Sequence, residues 1–169
     1  MHEFAIHDQV VVPELGLGKI IGELTYDGVP YFRILCNDVT VTRPKSDMTS
    51  SGVRELCSYE DIQAVFKILQ GKRPHIKAAN NNQRYKKYRE DLNGGDIITL
   101  ARLVRHLYTK DAGELASQRL EIYEKALQRL TDEIVQVLDV LSQGARGTIE
   151  SIIDHEPLPS EWAEKLKTP

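Results

Sequence analysis

Two cysteines and one tryptophan in 169 residues already exclude several protein classes. Cys36 and Cys57 fit no metal or redox spacing, so neither a zinc module nor a disulfide scaffold is expected. They are compatible with two reduced thiols in a cytosolic protein or with a single disulfide. No apolar run approaches the ~20 residues of a membrane span. The opening Met-His-Glu-Phe-Ala-Ile-His-Asp lacks a basic region followed by an apolar one, so no signal peptide is expected. Catalytic motifs are also missing. Gly16-Leu17-Gly18-Lys19 resembles part of a phosphate loop. The required spacing would put glycine at Pro13 and a hydroxyl at Ile20, so a strand-to-strand turn is the better reading. His2, His7, His75, His106 and His155 pair with no ligand at a metal-binding distance in sequence. No Gly-x-Ser-x-Gly element exists. The expectation is a protein that is not an enzyme and has no cofactor and no metal.

The remaining pattern is that of a folded chain with two differently built halves. Up to about residue 57 it reads as short strands: Gln9 to Val12, Lys19 to Tyr26, Tyr31 to Leu35, and Val39 to Thr42. Asp27-Gly28 is a hairpin signal, because both positions tolerate positive φ. From Ser58 the period changes. Ile62, Val65, Phe66 and Leu69 recur at helical spacing, and Ser58 with Asp61 forms a candidate capping box. A second helix is expected from about Asn81 to Leu92, ending at Gly94-Gly95. A third starts at Asp96 and carries Ile97, Leu100, Ala101, Val104 and Leu107. A long fourth spans about Leu115 to Leu141, with the stripe Leu120, Tyr123, Leu127, Leu130, Ile134, Val137 and Leu141. A short fifth lies around Thr148–Ile153. The tail from His155, interrupted by Pro157 and Pro159, reads as loosely attached, with Trp162 and Leu166 as its docking residues. The fold class is therefore α+β: a small antiparallel β module over 1–57, a helical domain of about five helices over 58–154, and a tail over 155–169.

Charge is distributed unevenly. Residues 58–110 carry a net +6, against −3 before them and −6 after them. Lys72, Arg73, Lys77, Arg84, Lys86, Lys87 and Arg89 fall within 18 residues that contain no acid. Such a segment, with its tyrosines and amides, attracts a nucleic-acid backbone. At ~100° per residue the four cations of the second helix wrap its exposed side, while Tyr85, Tyr88 and Leu92 face the core or a groove. Asn80, Asn81 and Asn82 stand at the helix start, where amides suit phosphate oxygens or the acceptors of a minor groove. The plainer reading is that one of them caps the helix. His106 reads as a surface or internally satisfied residue.

Several strings, in order, resemble the CarD/CdnL family of bacterial transcription regulators. They are Asp8-Gln9-Val10-Val11-Val12-Pro13 with Gly16 and Gly18, where His7 stands at a usual glycine. Next come Val39–Pro44 with Gly52-Val53-Arg54-Glu55-Leu56, then Glu60–Leu69. Arg84-Tyr85-Lys86-Lys87 and Gly95-Asp96 through Val104-Arg105-His106-Leu107 complete the set. The resemblance runs from about Phe4 to Ile153. It implies a Tudor-like N-terminal module that docks on the β subunit of RNA polymerase by strand addition. Val39, Thr40, Val41, Thr42 and Arg43 would form that surface. It also implies that the helical module contacts promoter DNA at the upstream edge of the bubble through Lys72, Arg73, Lys77, Asn81, Arg84, Lys86, Lys87 and Arg89, in the cytoplasm, as a monomer. Binding to double-stranded DNA alone would be weak and sequence-nonspecific. Two positions depart from the family pattern. Asn81 occupies the place of a tryptophan that wedges the minor groove, and Thr42 the place of a basic residue in the docking strand. An adaptor that binds polymerase or another protein without DNA is the alternative. RNA binding is weaker still, since Tyr26, Tyr31 and Phe32 read as core rather than as a stacking platform.

Overall fold

The computed structural model describes residues 3–94, 96–111, 113 and 115–167. His2 and Gly95, the latter expected at a helix end, lie outside the described residues. The fold is α+β, with a five-stranded antiparallel sheet followed by helices. The chain divides into two units, Met1–Leu56 and Cys57–Pro169.

The first unit contains β1 (Gln9–Val12), β2 (Gly16–Tyr26), β3 (Val29–Cys36), β4 (Val39–Pro44) and β5 (Arg54–Glu55), in the spatial order β4-β3-β2-β1-β5. Asp27 and Gly28 have φ of 49° and 77° and join Tyr26 to its partner Val29, as a two-residue hairpin requires. Phe32, Ile34 and Cys36 alternate inward along β3. They pack with Val10, Val12, Ile20, Met48 and Val53, while Arg33 and Leu35 point outward. Gly18 was expected in a turn. It lies within β2, paired with Val10, and a Cβ there would sit 2.6 Å from the Cys36 Sγ. The missing side chain is what lets β2 close over the core. Tyr26 was expected in the core but is 66% exposed, because β2 and β3 run past the stretch their core covers. Cys36 and Cys57 are not joined in a disulfide.

The second unit begins with α1 (Tyr59–Gln70). The Ser58 hydroxyl accepts the Asp61 N–H, and the Asp61 carboxylate accepts the Ser58 N–H, so the capping box forms as the sequence indicates. Then follow α2 (Asn81–Gly94), α3 (Ile97–Leu107, capped by Asp96), α4 (Ser117–Leu138), α5 (Ala145–Ile153) and α6 (Ser160–Lys165). One core joins all six. Tyr123, Leu127, Leu130 and Ile134 of the expected α4 stripe are buried, and the stripe departs from its expected course at its margins. Ile122, Ala126 and Leu138 are buried, whereas Leu141 is 77% exposed. The helix stops at Leu138 because Asp139 takes a left-handed conformation. Buried Glu133 of α4 accepts the Cys57 N–H at 2.9 Å and so fixes the chain where it enters α1. The tail is not loose. Pro159 precedes α6, a favourable place for a residue without an N–H, and Trp162 is buried against Phe66 with ring centroids 6.0 Å apart.

Candidate functional site

α2 is polar along most of its length and buries only Tyr88 and Leu92, with Tyr85 half-buried. Its ends are therefore held by hydrogen bonds. Asn80 caps the start, its Oδ1 accepting the Gln83 N–H at 2.9 Å, while the Gln83 Oε1 accepts the Ala79 N–H at 3.1 Å. The cap expected among the three asparagines is thus Asn80. At the other end Arg129 of α4 donates to the Leu92 carbonyl at 2.6 Å.

The segment between α1 and α2 is stitched to the C-terminal end of α3. Arg73 Nε donates to the His106 carbonyl at 2.6 Å, and Arg105 Nε donates to the Gly71 carbonyl at 3.1 Å. The His106 ring bridges the Pro74 carbonyl at Nδ1 and the Tyr88 hydroxyl at Nε2, each at 2.8 Å. A carbonyl only accepts, so Nδ1 carries the proton and neutral Nε2 accepts from Tyr88. Burial, then the nearby positive groups Arg73 and Arg119, lowers the His106 pKa below 6.5. Burial raises that of Tyr88. His106 is a satisfied structural residue that fixes α2 on α3.

The expected DNA-contacting residues divide by what they already touch. Arg84 donates to the Asn81 Oδ1 at 3.2 Å, so the asparagine at the tryptophan position is engaged with its own helix. Lys86 lies 3.9 Å from Glu90, and Lys87 lies 2.8 Å from Asp91. The acids just beyond the basic stretch fold back along the helix to meet it. The exposed Lys86–Glu90 pair contributes roughly 0–1 kcal/mol and yields readily to a stronger anion, whereas Asp91, only 12% exposed, holds Lys87 from a more shielded position. Arg89, on the opposite flank from Lys87, acts on Glu121 of α4. Lys72, Lys77 and Arg89 are exposed, whereas Arg73 is committed to the loop. Lys77 and Lys87 come together. They line an open cleft of about 450 Å³ with His75, Asp91, Thr99 and Arg102. Sequence reasoning missed His75 and Arg102, because Arg102 belongs to a different helix from the basic run.

In the first unit, β4 is an edge strand of the sheet. Thr40 and Thr42 are exposed, while Val41 and Arg43 are half-buried opposite Ile34 and Phe32. Arg43 donates to the Thr42 carbonyl at 3.1 Å. Arg33, exposed on β3, is the cross-strand partner of Thr42 and presents its side chain on the same outward face. That placement was invisible in sequence, where the two residues are nine apart. Leu24, Leu35 and Val39 add exposed apolar surface to this unit.

Among the described residues, no group of three or more His, Cys, Asp or Glu could hold a metal ion, and no helix is long and apolar enough to cross a membrane. Compared with known families, residues 64–150 match the model of the CarD C-terminal domain. The match runs from within α1 to within α5.

Proposed function

From the premise that the chain belongs to the CarD family of RNA polymerase-associated, non-enzymatic transcription regulators, we propose that it bridges the polymerase β subunit and promoter DNA. The observation that carries this reading is the exposed cationic face of α2 and its preceding loop, which lies within the matched segment. Lys72, Lys77, Arg84, Lys86, Lys87 and Arg89 supply phosphate contacts, and Arg73 shapes the loop that presents them. The unpaired side of β4, Val39 to Arg43, takes a strand of the β subunit. Arg33 supplies beside Thr42 the positive charge that Thr42 lacks. A monomer docked this way holds α2 near the upstream edge of the bubble and modulates open-complex stability. Asn81 reaches a base edge or phosphate but cannot unstack a base step, so this chain holds DNA without wedging it.

The test is a pull-down of the tagged chain from bacterial lysate, with and without nuclease. Direct docking gives the β subunit in both halves, and Arg33→Glu abolishes it. Recovery only without nuclease would make the polymerase contact indirect. Absence of β from both would overturn the bridging reading and favour an adaptor for another partner.

A further inference from the structure

Three elements of the second unit point cations into one cleft. Lys77 comes from the loop after α1, Lys87 from α2 and Arg102 from α3, around a space of about 450 Å³ walled by Pro74, Ile76 and Thr99. The single carboxylate there, Asp91, is bound by Lys87 at 2.8 Å. Among the described residues, Lys77 and Arg102 have no hydrogen-bond or ion-pair partner. Arg102 stands between buried Ala101 and Leu103 on α3, a helix whose apolar face is fully packed. Its backbone is therefore fixed, and little ordering remains to be done when an anion arrives. Two unpaired cations and a third paired along its own helix with the half-buried Asp91 leave the cleft net positive and create a focused positive potential. A guanidinium with two ammonium groups and a threonine hydroxyl is the donor set that tetrahedral oxyanions take.

We propose that this cleft is a phosphate-binding site, with Arg102 and Lys77 as its principal ligands. The phosphate is that of a DNA strand lying along α2, since Lys87 belongs both to the cleft and to that helix face. In this form the inference rests on the DNA contact proposed above. The site places one phosphate in a fixed pocket between two helices, whereas the remaining α2 cations meet the backbone as mobile side chains. It thereby sets the register of the DNA on the protein.

The experiment uses the full chain and a labelled short duplex, with affinity measured across a salt series. Arg102→Gln and Lys77→Gln should each weaken binding about threefold to tenfold and make the salt slope shallower by about one. Lys110→Gln, an exposed cation outside the cleft, should change neither. Circular dichroism of the variants controls for folding. A parallel titration with inorganic pyrophosphate, followed by amide chemical shifts, should move signals of residues 75–77, 87, 99 and 102. Displacement of that pyrophosphate by duplex would confirm the backbone source. If cleft variants lose pyrophosphate but keep full DNA affinity and slope, the phosphate site stands and its ligand is a free phosphate compound. If neither ligand responds to Arg102→Gln or Lys77→Gln, the site is disproved. Reversal of Arg84, Lys86 and Arg89 to Glu, which leaves every cleft residue in place, separates the two inferences. Loss of DNA there, with an inert cleft, keeps the bridging function and removes the cleft.

Discussion

Single atoms decide local questions in this chain. Gly18 has room for no side chain, since an added Cβ would meet Cys36 Sγ at 2.6 Å and Ile34 Cγ2 at 3.0 Å. Both neighbours belong to the buried core of the first unit, so neither can yield cheaply. Gly18→Ala should therefore destabilise that unit by about 1–3 kcal/mol, measured by urea unfolding of the wild type and the variant. A change below about half of that would show that β2 can lift without cost. His106 poses a question of protonation. Its neutral ring satisfies both partners. A proton on Nε2 would face the Tyr88 hydroxyl and add charge beside Arg73, His75 and Arg119. The folded pKa lies below the ordinary 6.5, so the unfolded chain binds this proton more tightly. The stability that follows is complete above pH 6.5 and is lost as pH falls through the folded value. Thermal unfolding at pH 7.5 and 5.5 should show a decline that His106→Gln flattens. An unchanged slope in the variant would remove His106 as the cause. The sequence reads His106 as a surface or internally satisfied residue, and the structure shows it satisfied; its two partners, on a loop and on another helix, were not legible.

At the level of elements, legibility followed burial. α1 and α3 present apolar residues at helical spacing, and both helices and the Ser58 cap lie where the pattern put them, while Asp96, expected as the first residue of α3, is its cap. The end of α4 was less legible, because Val137 and Leu141 continue the spacing while Asp139 breaks the backbone. α6 was hidden by two prolines that mark breaks in a pattern scan, although one of them starts the helix. α2 is thinly anchored for a helix of 14 residues. Only Tyr88 and Leu92 are buried, and hydrogen bonds from Asn80 and Arg129 hold its ends. Elements with few buried contacts open first. We expect the backbone amides of α2 to exchange at least tenfold faster than those of α3, by hydrogen exchange with mass or NMR detection, and to slow on addition of duplex DNA. Equal protection in the two helices would mean that the capping bonds alone secure α2. The same helix allows a gain-of-function test. Asn81 is exposed, so a tryptophan there requires no core rearrangement. Asn81→Trp should lengthen open-complex lifetime on a bubble-forming promoter severalfold, since an inserted ring offsets part of the few kcal/mol that unstacking a base step costs. No change would indicate that α2 does not reach the groove.

For the whole molecule, charge is a poor guide and connectivity a better one. The first unit is net negative, and the second carries basic and acidic stretches that cancel, so no strong affinity for DNA arises from net charge. The six cations assigned phosphate contacts give a salt slope of about −5 when all are engaged, strong enough to position DNA but too weak to find it. The bridging reading resolves this through effective concentration. Docking on polymerase makes the DNA contact intramolecular, and millimolar effective concentrations then suffice for a weak interaction. The two contacts should behave as links in a series rather than as independent contributions. In the full chain, Arg33→Glu should abolish polymerase recovery and leave duplex affinity unchanged, while reversal of the α2 cations does the opposite. On transcription from a promoter that the wild-type chain affects, either variant alone should remove most of the effect. The combination should then be no worse than the more severe single variant, because a bridge broken at one end has nothing left to lose at the other. Additive losses would mean that each surface acts on transcription by itself. The protein would then combine two separate regulatory contacts in one chain.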